Sequence, residues 1–150
     1  MNLSKRTRYG VRALIDLGLY CNKGKPVLIK EIAKRQGLSE RYLEHIMLSL
    51  KKAGFLRSIK GGKGGYVFLK DPGEIKIRDV VEALEGSLIP VECVEKKEIC
   101  ERSVSCVARD LWCSIREEIL KLLDRTTLKE LIERQKIRNR DKIEAVHYEI

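Results

Sequence analysis

The sequence predicts a mainly α protein with one small β-hairpin, an α+β chain, and three observations carry that prediction. Apolar residues recur at helical spacing along most of the length, as in Val11, Leu14, Ile15 and Leu19, again in Leu43, Ile46, Met47 and Leu50, and again in Trp112, Ile115, Ile119 and Leu122. Strand-like runs occur as one close pair, residues 55–60 and 66–70, around a loop of four glycines with Lys63 at its centre. At 150 residues, 43% hydrophobic and 35% charged, the composition is that of a soluble globular unit with one core of moderate size.

The first helix is expected over residues 4–22, with Ser4 as N-cap and Lys5, Arg6, Arg8 and Arg12 at its start or away from its apolar face. The run from Asn22 to Pro26 ends it, and Val27-Leu28-Ile29 reads either as a short strand or as the lead into the next helix. IKEIAKRQ then places Ile29, Ile32 and Ala33 on one face, Gly37-Leu38 makes a turn, and Ser39 caps a helix that Gly54 ends. Two short helices joined by a tight turn containing glycine form a helix-turn-helix, in which the N-terminal residues of the second helix meet base edges. Those residues are Ser39, Glu40, Arg41, Tyr42, Glu44 and His45. Arg41 suits a phosphate or the acceptor edge of guanine, and Glu44 suits the donor of cytosine. An αα-hairpin serving only a core is the competing reading.

Directly after that motif, the glycine-rich hairpin reads as a wing. Gly61 and Gly64 allow close backbone approach to phosphates, while Arg57, Lys60 and Lys63 supply positive charge. The loop matches neither GxxxxGK[ST] nor a GxGxxG between strand and helix, which argues against a nucleotide site. A further helix is expected over 77–86, with Val80, Val81 and Leu84 inward and Asp79, Glu82 and Glu85 as a solvated face.

Charge supports a polyanionic partner. Residues 1–72 hold 16 Lys and Arg against 5 Asp and Glu, a surplus of 11; residues 73–150 hold 15 against 17, a deficit of 2, which together give the net +9. Solvated helix faces would spread charge more evenly, so double-stranded nucleic acid is the expected partner of the first half.

Four of the five cysteines, Cys93, Cys100, Cys106 and Cys113, fall within 22 residues. No apolar run approaches 18 residues and the start, MNLSKRTRYG, lacks a signal-peptide core, so a cytoplasmic protein without membrane contact is expected. In a reducing compartment such a cluster is a metal or redox site before it is a disulfide framework. Gaps of six residues between Cys93 and Cys100 and five between Cys100 and Cys106 differ from the C-x2-C knuckle usual for zinc and suit a larger object such as an iron–sulfur cluster. Lys96, Lys97, Arg102 and Arg109 would offset thiolate charge. Zinc, and reactive or inert thiols, remain the alternatives. Cys21, alone on its helix, reads as a small core residue.

A long helix over 108–124 follows, with Leu111, Trp112, Ile115, Ile119, Leu122 and Leu123 making a paired-helix seam. Thr127 and Glu130 form a capping box for a short helix bearing Leu128, Leu131 and Ile132. Too little chain remains to bury these faces within one subunit, so a homodimer on a palindromic operator is expected. Beyond Glu133 the tail is charged and polar, expected frayed or weakly helical, with His147 solvated.

SKRTRYGVRAL, SERYLE, GGKGGY and three cysteines ahead of a Trp-bearing helix together resemble the IscR and NsrR type of winged-helix regulators, the Rrf-two family, over about residues 1–132. The resemblance implies a homodimeric transcription regulator, commonly a repressor, whose three cluster-binding cysteines match Cys93, Cys100 and Cys106. It also implies DNA contacts at Lys5, Tyr9, Ser39, Arg41, Tyr42, Glu44 and Lys60. Where some members place a histidine ligand this chain has Arg109, and where others use an acidic residue of the first helix it has Arg8, a basic residue at the DNA-facing end. Asp110 and Cys113 remain as fourth-ligand candidates, with 2Fe-2S favoured over 4Fe-4S.

The expected organisation is therefore a winged helix-turn-helix domain (1–87), a cysteine-bearing loop (88–107), dimerisation helices (108–132) and a polar tail (133–150). The expected function is promoter binding under cluster control, with no enzymatic activity. A cluster-free regulator using zinc or a thiol switch is the alternative. An iron–sulfur electron carrier is disfavoured, because the positive charge lies away from the cysteines and no catalytic constellation accompanies them.

Overall fold

The computed structural model describes residues 2–148. In chain order it contains α1 (Lys5–Tyr20), α2 (Ile29–Gln36), α3 (Glu40–Lys52), the antiparallel pair β1 (Leu56–Ile59) and β2 (Gly65–Phe68), α4 (Ile77–Glu85), the one-turn α5 (Glu92–Glu95), α6 (Val107–Arg125) and α7 (Leu128–Tyr148). This is the mainly helical chain with one hairpin that periodicity predicts.

The core is made by α1, α2, α3, α4 and the start of α7. Leu14 and Leu17, Ile32, then Leu43, Ile46, Met47 and Leu50, then Val80 and Val81, and finally Leu128 are all buried together. Two glycines allow α1 to sit close to its neighbours: a Cβ at Gly10 would collide with Leu84, and one at Gly18 would collide with Ile132. Helix ends fall where the sequence signals lie. Gly37 adopts φ 66°, its N–H donates to the Lys34 carbonyl at 3.3 Å, and the Leu38 N–H donates to Ala33 at 2.9 Å, a Schellman ending that turns the chain sharply into α3.

Val27 resolves the open reading of residues 27–29. It alone bridges to Tyr66 of β2, through hydrogen bonds of 3.0 and 2.9 Å, and Ile29 already begins α2. This third edge ties the wing to the helix-turn-helix. The hairpin pairs Leu56 with Phe68 and Ile59 with Gly65.

The C-terminal part differs from expectation in two ways. Leu128 and Ile132 are buried in the chain's own core rather than left for a partner, because the corner between α6 and α7 is fastened to the start of α4: Ile77 N–H donates to Thr126 at 2.9 Å and Leu128 N–H to Ile75 at 2.9 Å. The expected capping box is present, with Thr127 N–H on Glu130 at 2.8 Å and Glu130 N–H on Thr127 Oγ1 at 3.3 Å. Beyond Glu133, where a frayed or weakly helical tail is expected, the helix continues to Tyr148. Side-chain pairs at helical spacing, Glu133 with Lys136 and Gln135 with Asn139, support a segment that lacks a continuous apolar stripe.

Candidate nucleic-acid interface and cysteine loop

Ser39 accepts the Tyr42 N–H at 3.2 Å, so the first turn of α3 is capped and its outer residues are fixed in direction. Ser39, Glu40, Arg41, Tyr42, Glu44 and His45 are exposed, while Leu43, Ile46 and Met47 on the opposite side are buried. One surface therefore presents every residue that the helix-turn-helix reading singled out. Tyr9 of α1 joins it: its ring meets Tyr42 edge to face, with centroids 6.1 Å apart. Lys5 and Arg8 are exposed at the same end of α1. Arg6, which sequence reasoning placed only loosely, donates to Ser49 of α3 and braces the two helices.

In the wing, Arg57, Lys60, Gly61 and Lys63 are exposed, whereas Gly64 is buried. A Cβ at Gly64 would strike the Ile59 carbonyl, and Gly61 has φ 112°, so both glycines are required by the tightness of the loop itself. Lys51 Nζ donates to Ser58 at 2.8 Å and holds the wing against the end of α3. Burial pushes the Tyr66 hydroxyl pKa up, and the Glu44 carboxylate adds to the effect.

Two polar devices support this surface and escaped the sequence reading. Asp16 is buried and its carboxylate receives Arg35 at 3.1, 3.0 and 2.7 Å and Gln36 at 2.9 Å, locking α2 to α1. The signal was available, since Asp16 is the sole acid in residues 1–30 and lies among Ala13, Leu14 and Leu17 on a buried stripe. Glu85, expected on a solvated face, instead accepts from Ser4 N–H at 3.0 Å, Ser4 Oγ at 2.7 Å and Thr7 Oγ1 at the start of α1. Hydrogen bonds from Thr7 and Ser4 hold its carboxyl below the usual carboxylate range. A carboxylate at a helix N-terminus is also favoured by the helix dipole.

The cysteine segment is built differently. Cys93 lies in α5, Cys100 follows a 3-10 turn at Lys97–Ile99, and Cys106 immediately precedes α6. All are free thiols; Cys93 and Cys106 are half-buried and Cys100 is exposed. Among the described residues, no three His, Cys, Asp or Glu side chains converge as a metal site. The loop folds back through Arg109, whose Nε donates to the Cys93 carbonyl at 2.8 Å and whose Nη2 reaches the Val94 carbonyl at 3.5 Å. Ser103, between Cys100 and Cys106, is buried with its hydroxyl lacking a partner. Three free thiols on one short segment are a donor type that suits an iron–sulfur cluster or a soft metal, though in this conformation they stand apart.

Because α6 starts at Val107, Cys113 lies about 10 Å along the helix axis from Cys106 and Asp110 only about 6 Å. Asp110 is therefore the nearer of the two fourth-ligand candidates to Cys106 along α6. Cys21 packs against the core and burial pushes its thiol pKa up, as expected for a packing residue.

Helix α6 has no fully buried residue. Val107, Leu111, Trp112, Ile115 and Leu122 are all exposed, with Val107 at 80% and Leu111 at 55%. Among the described residues no helix is long and apolar enough to cross a membrane.

Comparison with known proteins agrees with this layout. The family model Rrf2, described as iron-dependent transcriptional regulator, matches residues 3–134. The chain is 39% identical to protein rrf2 of Nitratidesulfovibrio vulgaris, over 88% of this chain and 87% of that protein, and 34% identical to the regulator IscR of Xenorhabdus nematophila, over 91% and 82%. Among solved structures it is similar to CymR, the global cysteine regulator of Bacillus subtilis, with a TM-score of 0.75 and 36% identity over 89% of this chain and 97% of that one. An exposed helix-turn-helix face, a glycine wing and matches of this extent lead to one conclusion: the chain belongs to the Rrf2 family of winged-helix transcriptional regulators, and is not an enzyme.

Proposed function

We propose that the chain acts as a homodimer that binds a palindromic duplex site and regulates transcription, in the sense of repression, under control of an iron–sulfur cluster held by Cys93, Cys100 and Cys106. Asp110, on the face of α6 one turn beyond Cys106, is the fourth ligand of this reading, and 2Fe-2S its cluster type. When bound, the cluster supplies one-electron redox chemistry and a thiolate link sensitive to oxidants and reactive small molecules.

The observation that carries the proposal is the position of the thiols. They sit on the segment of chain that leads from α4 into α6, and between residues 89 and 106 that segment contributes nothing fully buried except Ser103. Arg109 ties the Cys93 peptide to α6 and Cys106 is its N-cap, so a change in loop shape reaches α6 at both points. The apolar face of α6 supports pairing with a second copy, which sets the spacing of two recognition helices.

A cluster-free regulator that uses the thiols directly is the second reading. It draws on the separation of the three thiols in this conformation and on the similarity to a cysteine regulator. Purification without oxygen, followed by visible absorption and iron and sulfide assays, separates the two. Charge-transfer bands with iron and sulfide in equal amounts support the first; a colourless protein, or one carrying zinc, supports the second.

A further inference from the structure

The outer side of α1, opposite the face that meets α4, forms the floor of a cleft of about 530 Å³ closed by the end of α2 and by the C-terminal half of α7. That volume is within the range of small-molecule sites. Ile15 and Leu19 give it an apolar base.

Its hydrogen-bonding groups are unbalanced. The acid in the lining, Asp16, is already saturated by Arg35 and Gln36, and the Arg35 guanidinium lies over the Tyr20 ring, 3.7 Å from its centroid. The groups left open are mostly donors. Arg12 spends Nε on Gln36 Oε1 at 3.0 Å and Nη2 on the Gln36 carbonyl at 3.4 Å, keeping its other terminal nitrogen. Asn139 accepts from Gln135 at 2.9 Å and keeps its amide hydrogens. Lys142, across the cleft on α7, makes no ion pair among the described residues. Two uncompensated cations from different helices, with an amide donor above an apolar base, are complementary to an acceptor-rich anion.

We propose that this cleft binds a small carboxylate- or phosphate-bearing molecule, with Arg12 and Lys142 facing its charge. The site lies beside the recognition machinery. Arg12 is 5.5 Å from the Tyr9 ring centroid, Tyr9 meets Tyr42 of α3, and Gln36 immediately precedes the Gly37 turn into α3. An anion that draws Arg12 away from Gln36 alters both contacts, and so changes promoter affinity without touching the cysteines. A phosphate of the DNA backbone has the same chemistry, and the test distinguishes it from a free ligand.

The full-length chain is titrated with succinate, inorganic phosphate and acetate at constant ionic strength while its melting temperature is followed, beside the Arg12→Gln/Lys142→Gln double variant. Both side chains are exposed, and far-UV circular dichroism checks that the variant is folded. The expected result is a saturable rise with succinate or phosphate whose half-point moves at least tenfold in the variant. No saturable rise with any of the three, or an equal rise in the variant, overturns the proposal. In parallel, the salt dependence of duplex binding is measured. A fall of about 1.8 in the slope of log K against log salt in the variant, without saturable binding of the free anions, assigns the two cations to backbone phosphates and overturns the free-ligand site.

Discussion

Residues 5–88 and residues 89–127 are held together by different means. In the first stretch every helix sends side chains into one interior, and its glycines, caps and polar locks serve that packing. In the second, Ser103 is the one buried residue, a four-residue helix and a 3-10 turn stand where a core would be, and Val104 and Val107 are almost fully in solvent. The first region determines its own shape. The second is held by Arg109 on the Cys93 carbonyl and by Ile119, Leu120 and Leu123 of α6 against the core of the first, while Leu111, Trp112 and Leu122 stay exposed. A sensor needs a part with this property, since a segment already fixed by its own core has little left for a ligand to change.

Core truncation is the strongest way to break the contrast. Leu14→Ala is expected to cost about 2–5 kcal/mol in denaturant unfolding, as for other fully buried leucines. Val104→Ala, at a position 97% exposed, is expected to stay within about 0.5 kcal/mol. Equal losses at the two sites would mean that residues 89–127 contain a core of their own.

Removing the buried acid comes next. Asp16→Asn exchanges charge-assisted bonds for weaker ones and leaves Arg35 poorly paired, for an expected loss of about 1–3 kcal/mol, moderated because the Arg35 side chain is 28% exposed. On the binding surface, Arg41→Ala is expected to relax base preference at one position of the site by about 1–3 kcal/mol, whereas Lys60→Gln weakens all duplexes alike and lowers the salt slope by about 0.9. Competition titrations against single-base variants of the site read both.

The smallest effect concerns acid. Because hydrogen bonds from Thr7 and Ser4 lower the Glu85 pKa in the folded chain, its contribution is full above the ordinary carboxylate range and is lost as pH falls through the lowered value. Glu85→Gln is expected to lower the melting temperature near neutral pH and to flatten its decline below about pH 5. Parallel curves for variant and parent over that range would show that Glu85 is only a solvated residue.

Legibility in the sequence followed the range of the interaction. The helix-turn-helix, its glycine turn, the hairpin and helix α6 rest on spacings of two to seven residues and lie where the periodicity put them, but Ile119 and Leu123 of the expected seam pack against the chain's own core. The capping box at Thr127 and Glu130 was readable for the same reason. Glu85 meets Ser4 across 81 positions, Arg109 meets a backbone carbonyl 16 positions away, and neither contact leaves a periodic trace. The length of α7 escaped because its later turns rest on helix-forming charged residues and local pairs rather than on an apolar stripe. At the cysteines the sequence supplied the thiols and their order, whereas the clamp that Arg109 places on the Cys93 carbonyl left no trace in it.

In the proposed mechanism residues 93–106 govern promoter binding while contributing little to the fold. Its most direct test compares Cys100→Ala with the parent chain, each prepared without oxygen and supplied with iron and sulfide, measuring duplex affinity before and after the iron is removed. The expected result is equal melting temperatures for the two metal-free proteins, an iron-dependent change in affinity for the parent and none for Cys100→Ala. An unchanged iron response in the variant, or a variant that no longer folds, would contradict it.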